Sequence, residues 1–141
     1  MARRSRAREV ALQILFEHDH NPKWDHQAQE GFAHDRLRSK ALEGFCWELV
    51  DGVLRHRPEI DPRLQAAAEN WRLERMTAVD RNALRLGAYE LLFASDKAPP
   101  AVVVNEAIEL ARRYGSADSP AFVNGILDRL VREQNNTQPV G

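Results

Sequence analysis

The chain has 141 residues, 43% of them hydrophobic and 29% charged, which suits one compact domain with a buried core and a solvated surface. One cysteine, Cys46, excludes an intramolecular disulfide and a cysteine-based metal site, and no apolar run approaches the ~20 residues that a membrane span needs. The net charge of −1 hides an uneven distribution: Arg3, Arg4, Arg6 and Arg8 against Glu9 give the first ten residues +3, and 16 Lys+Arg against 20 Asp+Glu give the remainder −4. A basic tip on a mildly acidic body can hold an anionic strand locally and repel it elsewhere. That basic start has no apolar stretch behind it and so is not a secretory signal, which points to the cytoplasm.

From Ser5 to about His18, Ala7, Val10, Ala11, Ile14 and Leu15 recur at helical spacing and mark one buried stripe. The arginines flank this stripe and are expected to project into solvent from the first turns. Asn21-Pro22 ends the segment. Residues 23–36 are polar, with a short helix expected around Trp24 to Phe32. A longer helix is predicted from Leu37 to about His56, burying Leu42, Phe45, Cys46, Leu49, Val50, Val53 and Leu54, and stopped by Arg57-Pro58.

Asp61-Pro62 reads as a new start, with aspartate as N-cap and proline in the first turn, followed by Leu64, Ala67, Ala68 and Trp71. Thr77 begins the next helix, with Asp80 in a weak capping box and Val79, Ala83, Leu84, Gly87, Leu91 and Leu92 facing inward. Ala98-Pro99-Pro100 is a turn and a helix start, and the helix from Ala101 to Tyr114 buries Val104, Ala107, Ile108 and Ala111, with Gly115 as its cap. The run Val102-Val103-Val104 is its first turn rather than a strand. Ser119-Pro120 opens the last helix, with Phe122, Val123, Ile126, Leu127, Leu130 and Val131 inward. The expected fold is all-α, a compact bundle of about seven helices over residues 1–134, with a disordered polar tail at 135–141.

Nothing supports catalysis or a cofactor. The five histidines are not spaced as metal ligands, and there is neither a phosphate loop nor a nucleophile elbow. Two features point to RNA instead. The N-terminal arginines can pair with phosphates and stack on bases, and the helix behind them supplies an ordered frame. The segment Arg112 to Phe122 joins one helix end to the next helix start. There free N–H groups favour a phosphate, Tyr114 and Phe122 can stack on unpaired bases, and Asp118 can accept from a base edge. The plainer alternative is that Gly115, Ser119 and Pro120 only cap helices and Phe122 is core.

Three separated stretches resemble the NusB family of transcription antitermination factors: Arg3 to Gln13, Asp80 to Leu91, and Val104 to Ala111 continuing through Tyr114-Gly115 to Phe122-Val123-Asn124-Gly125-Ile126-Leu127-Asp128. The resemblance implies an all-helical, non-enzymatic protein that binds the boxA element of ribosomal RNA leader transcripts as a single strand. It does so with NusE, a small-subunit ribosomal protein, and acts on RNA polymerase indirectly with other Nus factors. It assigns RNA contact to Arg3, Arg4, Arg6 and Arg8 and to Tyr114, Gly115, Asp118, Ser119 and Phe122, and puts Asp80 on the NusE-facing side. Asn105, Glu106, Asn124 and Gly125 then read as architectural: the first two satisfying a helix N-terminus, Asn124 bridging helices and Gly125 allowing close approach.

The segment 21–36 resembles nothing specific. Two other readings stand beside the first: the NusB-like substrate-recognition domain of a ribosomal RNA cytosine methyltransferase, which needs a methyltransferase domain after it, and a protein-interaction bundle whose arginines only solubilise. Monomer and homodimer both remain open.

Overall fold

The computed structural model describes residues 3–137. Six α-helices follow one another: α1 (Arg3–His20), α2 (His26–Leu37), α3 (Lys40–Ala68), α4 (Ala78–Leu92), α5 (Pro100–Tyr114) and α6 (Ser119–Thr137), with a 3-10 turn at Leu73–Arg75 before α4. There is no strand among the described residues, and no helix there is long and apolar enough to cross a membrane. The last helix runs to Thr137, three residues into the segment expected as tail, and residues 138–141 lie outside the described residues.

The expected count of about seven helices becomes six because two predicted helices are one. α3 runs unbroken through Pro58 and Pro62, so Arg57-Pro58 is not a stop and Asp61 is not an N-cap. Each proline removes an N–H from the ladder and frees the carbonyl four residues back. Both prolines, one turn apart, are on the exposed face, where water can serve those carbonyls. On the opposite face Val53, Ile60 and Leu64 are fully buried, and this packing against α1, α4 and α6 holds the helix together. α2 covers His26–Leu37, longer than expected, and ends where Arg38 takes a left-handed conformation, φ 53°.

Local starts behave as their chemistry demands. Ser39 Oγ accepts from the Leu42 N–H at 3.3 Å and Thr77 Oγ1 from the Asp80 N–H at 3.2 Å, capping α3 and α4. Pro100 opens α5. Within α5 the buried positions are Val103, Ala107, Leu110 and Ala111, while Val104 and Ile108, expected inward, are half-buried at the edge. Both stripes have helical spacing. Contact with α4 and α6 selects between them.

α1 and α4 form the centre. Val10, Ala11, Ile14 and Leu15 of α1 and Leu84, Leu86 and Ala88 of α4 are all 2% exposed or less. Each large aliphatic side chain among them contributes ~1.5–3 kcal/mol by leaving water. Two close approaches set the spacing around α4. A Cβ at Gly87 would meet Leu127 Cδ1 at 2.8 Å, and one at Gly52 would meet the Tyr89 ring at 2.2 Å.

Charged side chains fix the α1–α4 register at both ends. Arg8 meets Glu90 near one end, and Asp19 meets Arg81, Asn82 and Arg85 at the other, so the two helices run antiparallel.

Candidate RNA interface

The four N-terminal arginines do not share one fate. Arg3 opens α1, but its side chain lies outside the described residues. Arg4 is half exposed, with its guanidinium 4.3 Å above the Phe45 ring and 3.7 Å from Asp96. Arg6 is 41% exposed and 3.8 Å from Glu9.

Arg8 corrects the expectation that all four project into solvent. It is 4% exposed and donates from Nε and one terminal nitrogen to the two carboxylate oxygens of Glu90, both at 2.7 Å. Glu106 approaches at 3.4 Å and itself accepts from the Ser5 hydroxyl. Burial works against the charge on Arg8, yet the Glu90 hydrogen bonds and the charges of Glu90 and Glu106 outweigh it and raise the guanidinium pKa. Arg8 therefore joins α1, α4 and α5. Glu106, expected to satisfy N–H groups of its own helix, spends its carboxylate on this cluster.

Beside it lies a groove of about 460 Å³ between the start of α1 and the end of α5, lined by Arg6, Glu9, Glu109, Leu110, Arg112 and Arg113 among others. Arg112 and Arg113 are exposed and pair with Glu109 and Glu9. A guanidinium has five N–H donors, and these pairs engage only part of each fork, so the cations keep donors free for phosphate oxygens. The Arg112–Glu109 pair, exposed on both sides, contributes little and rearranges readily, whereas Glu9 is buried and also accepts from Tyr114.

Tyr114 ends α5 with its hydroxyl fixed. It donates to Glu9 Oε1 at 2.7 Å and faces Gln13 Nε2 at 3.4 Å. Burial of the phenol, then the Glu9 hydrogen bond and charge, push its pKa up. Tyr114 as a whole is half-buried.

The loop after it is built tightly. Gly115 is not a left-handed cap: its φ is −97°. It is glycine because a Cβ there would meet Ser119 Oγ at 2.5 Å and the Ala111 carbonyl at 2.7 Å. Ser119, 1% exposed, accepts from the Ser116 N–H at 3.0 Å and so shapes the loop rather than offering itself to a ligand. Asp118 is exposed. Phe122 is half-buried, edge-on to Trp71 at 5.5 Å. Trp71, predicted to continue a buried stripe, is 62% exposed beyond the end of α3.

Asp80 is 9% exposed, and its Oδ1 has no hydrogen-bond partner among the described residues. Its neighbour Val79 lines a second groove, of about 360 Å³, with Phe16, Glu17, Phe32, Arg36 and Tyr114. Asn124 and Gly125, expected to be architectural, are both exposed, and a Cβ at Gly125 meets nothing within 4 Å. Neither bridges helices. Among the described residues there is no cluster of His, Cys, Asp and Glu able to hold a metal. His34 instead lies 3.3 Å from Glu43, and His56 stacks on Phe93 at 4.2 Å.

Residues 5–132 match the pattern of the NusB family. The chain belongs to the NusB family. The transcription antitermination protein NusB of Elusimicrobium minutum is 42% identical over 98% of this chain and 99% of its own length. Among solved structures, NusB of T. maritima is 38% identical, with a TM-score of 0.80 over 94% of this chain and 92% of that one. A chain in a crystal structure of the antitermination factors NusB and NusE in complex with dsRNA is 28% identical, with a TM-score of 0.83 over 94% of this chain and 98% of that one. NusB proteins are antitermination factors and not enzymes.

Arg112 and Arg113, at the start of the segment that the sequence offers as an RNA candidate, line the groove together with Arg6, although the sequence gives neither a role of its own. Their signal is two adjacent exposed cations in the last turn of a helix, where they also favour the helix dipole.

Proposed function

We propose that the chain is a cytoplasmic transcription antitermination factor. It binds single-stranded boxA RNA of ribosomal RNA leader transcripts together with NusE, and acts on RNA polymerase through other Nus factors. The observation that carries this reading is the groove where Arg6, Arg112 and Arg113 converge from α1 and α5 beside Tyr114 and the loop to Phe122. Cations for the phosphates and aromatic rings for the bases meet there, the combination that single-strand binding uses.

In this reading Arg3, Arg4, Arg6, Arg112 and Arg113 touch phosphate, Tyr114 and Phe122 touch bases, and Asp118 accepts from a base edge. Arg8, Gly115 and Ser119 hold those groups in place. The carboxylates of Glu9 and Glu109 compete with RNA for the same guanidinium groups, which keeps binding by the chain alone modest and gives a partner room to strengthen it. The groove lined by Phe16, Glu17, Phe32, Arg36 and Val79, next to Asp80, is the proposed NusE face: largely apolar, with one acid and one base, and adjoining the RNA groove at Tyr114.

Size-exclusion chromatography of the chain with NusE from the same organism and boxA RNA tests the assignment. Co-elution of all three, lost when the RNA sequence is scrambled, is the expected result. Separate elution of the chain in every mixture overturns it.

A further inference from the structure

The connection between α3 and α4 displays a tryptophan that the core does not use. Trp71 is 62% exposed, yet its backbone is pinned. Gln65 donates from Nε2 to the Trp71 carbonyl at 2.7 Å and accepts from the Leu73 N–H through Oε1 at 2.9 Å, while the Trp71 N–H reaches the Ala68 carbonyl at 3.2 Å. Leu73, 6% exposed, anchors the far side of the turn. A large aromatic on a fixed backbone, its ring already against Phe122, has less conformational freedom to lose when something stacks on it.

Its neighbour is Phe122, perpendicular to it at 84°. Along α6, Gly125 and Arg129 follow Phe122 at i+3 and i+7, on the same edge of the helix. Arg129 reaches the Ala67 carbonyl at 3.0 Å and Glu69 at 3.2 Å, closing the edge against the end of α3. Gly125 is exposed in mid-helix, where glycine is unfavourable, and no packing contact within 4 Å calls for it. Arg72 and Arg75 are exposed in the same connection, Arg72 lying 3.4 Å from Glu74.

We propose that Trp71 and Phe122 form a base-stacking platform for single-stranded RNA, with Gly125 as an open shelf beside it and Arg129 and Arg72 as its phosphate contacts. This rests on the proposed function: the residues from Tyr114 to Phe122 lead directly from the arginine groove to the platform, so one strand can follow both. The π faces take any base, while the arginine groove supplies the electrostatic part. A protein segment would fill the same apolar surface, but the flanking guanidinium groups and the continuity with the groove favour a nucleic acid.

The test is titration of a short single-stranded boxA RNA, with NusE present, against the wild-type chain and the variants Trp71→Ala, Trp71→Phe and Gly125→Ala, over a salt series. Trp71→Ala is expected to weaken binding about 5- to 100-fold with an unchanged salt slope, because stacking releases no counterions. Trp71→Phe retains most of the affinity. Gly125→Ala melts at a higher temperature than wild type yet binds RNA more weakly, a combination that no purely structural role for the glycine produces. Wild-type affinity for RNA in both Trp71→Ala and Gly125→Ala overturns the platform while leaving the proposed function intact. Loss of NusE binding with RNA affinity retained assigns the surface to a protein and also overturns it. A wild-type chain that binds no RNA, even with NusE, removes both.

Discussion

Arg8 and Glu90 meet through two parallel hydrogen bonds of 2.7 Å, each side chain almost wholly removed from water. An arginine from the basic N-terminus is thereby spent on holding α1 against α4. The contact turns the start of the chain into the edge of a rigid groove, since Ser5 and Arg6 sit within one turn of it on the same helix.

Breaking the pair is expected to damage the fold rather than the RNA surface. Arg8→Ala leaves Glu90 buried and unpaired, and removal of one partner of such a pair costs ~3–5 kcal/mol. Denaturant unfolding of Arg8→Ala and of Glu90→Ala measures it. A destabilisation below about 1 kcal/mol in both would show that the pair is dispensable.

The exposed arginines are expected to show the opposite profile. Arg6→Ala and Arg113→Ala should leave stability within ~0.5 kcal/mol of wild type. Each should weaken RNA binding and lower the slope of log affinity against log salt by ~0.7 for every phosphate of the single strand that the variant no longer neutralises. Binding isotherms at several salt concentrations, beside melting curves, separate the two effects.

Asp19 makes stability depend on acid. Burial raises its pKa, but hydrogen bonds from Asn82 and Arg81 and the charges of Arg85 and Arg81 outweigh that, and the folded pKa lies below the ordinary 3.8. A depressed carboxyl pKa stabilises the fold at pH values above 3.8 and loses that contribution as pH falls through the folded value. Asp19→Asn should therefore be less stable than wild type at pH 7, with the gap closing below about pH 4. A gap that does not change from about pH 7 to about pH 3 would contradict the pairing.

Much of the bundle was legible because helical period and capping are local signals. Ala7, Val10, Ala11, Ile14 and Leu15 emerge fully buried, and Thr77 and Pro100 mark real starts. The failures are tertiary. Pro58 and Pro62 carry a local stop signal that packing on the other face of α3 overrides. Arg8 and Arg6 look alike in sequence, and only the position of Glu90, 82 residues away, separates them. Trp71 fits an apolar stripe by spacing, but α3 ends three residues before it. Asn124 and Gly125 carry the family pattern yet are exposed, and among the described residues nothing lies within 4 Å of a Cβ at Gly125, which their own sequence could not reveal.

Cys46 should be inert in the native protein. It is fully buried, and desolvation, with the charges of Asp51 and Glu43, pushes its thiol up to about 12. The thiolate is the reactive species, so a thiol reagent at about pH 8 should label the chain only at the rate of unfolding. Fast labelling of the folded protein would place the thiol nearer the surface than the structure does.

The most direct measurement is the affinity of the chain for boxA RNA and for a scrambled RNA, each with and without NusE, over a salt series. Tighter binding to boxA, strengthened by NusE and weakening with salt, is the expected result. Equal affinity for both RNAs with NusE present would contradict the assignment and leave a NusB fold whose exposed arginines serve some other partner.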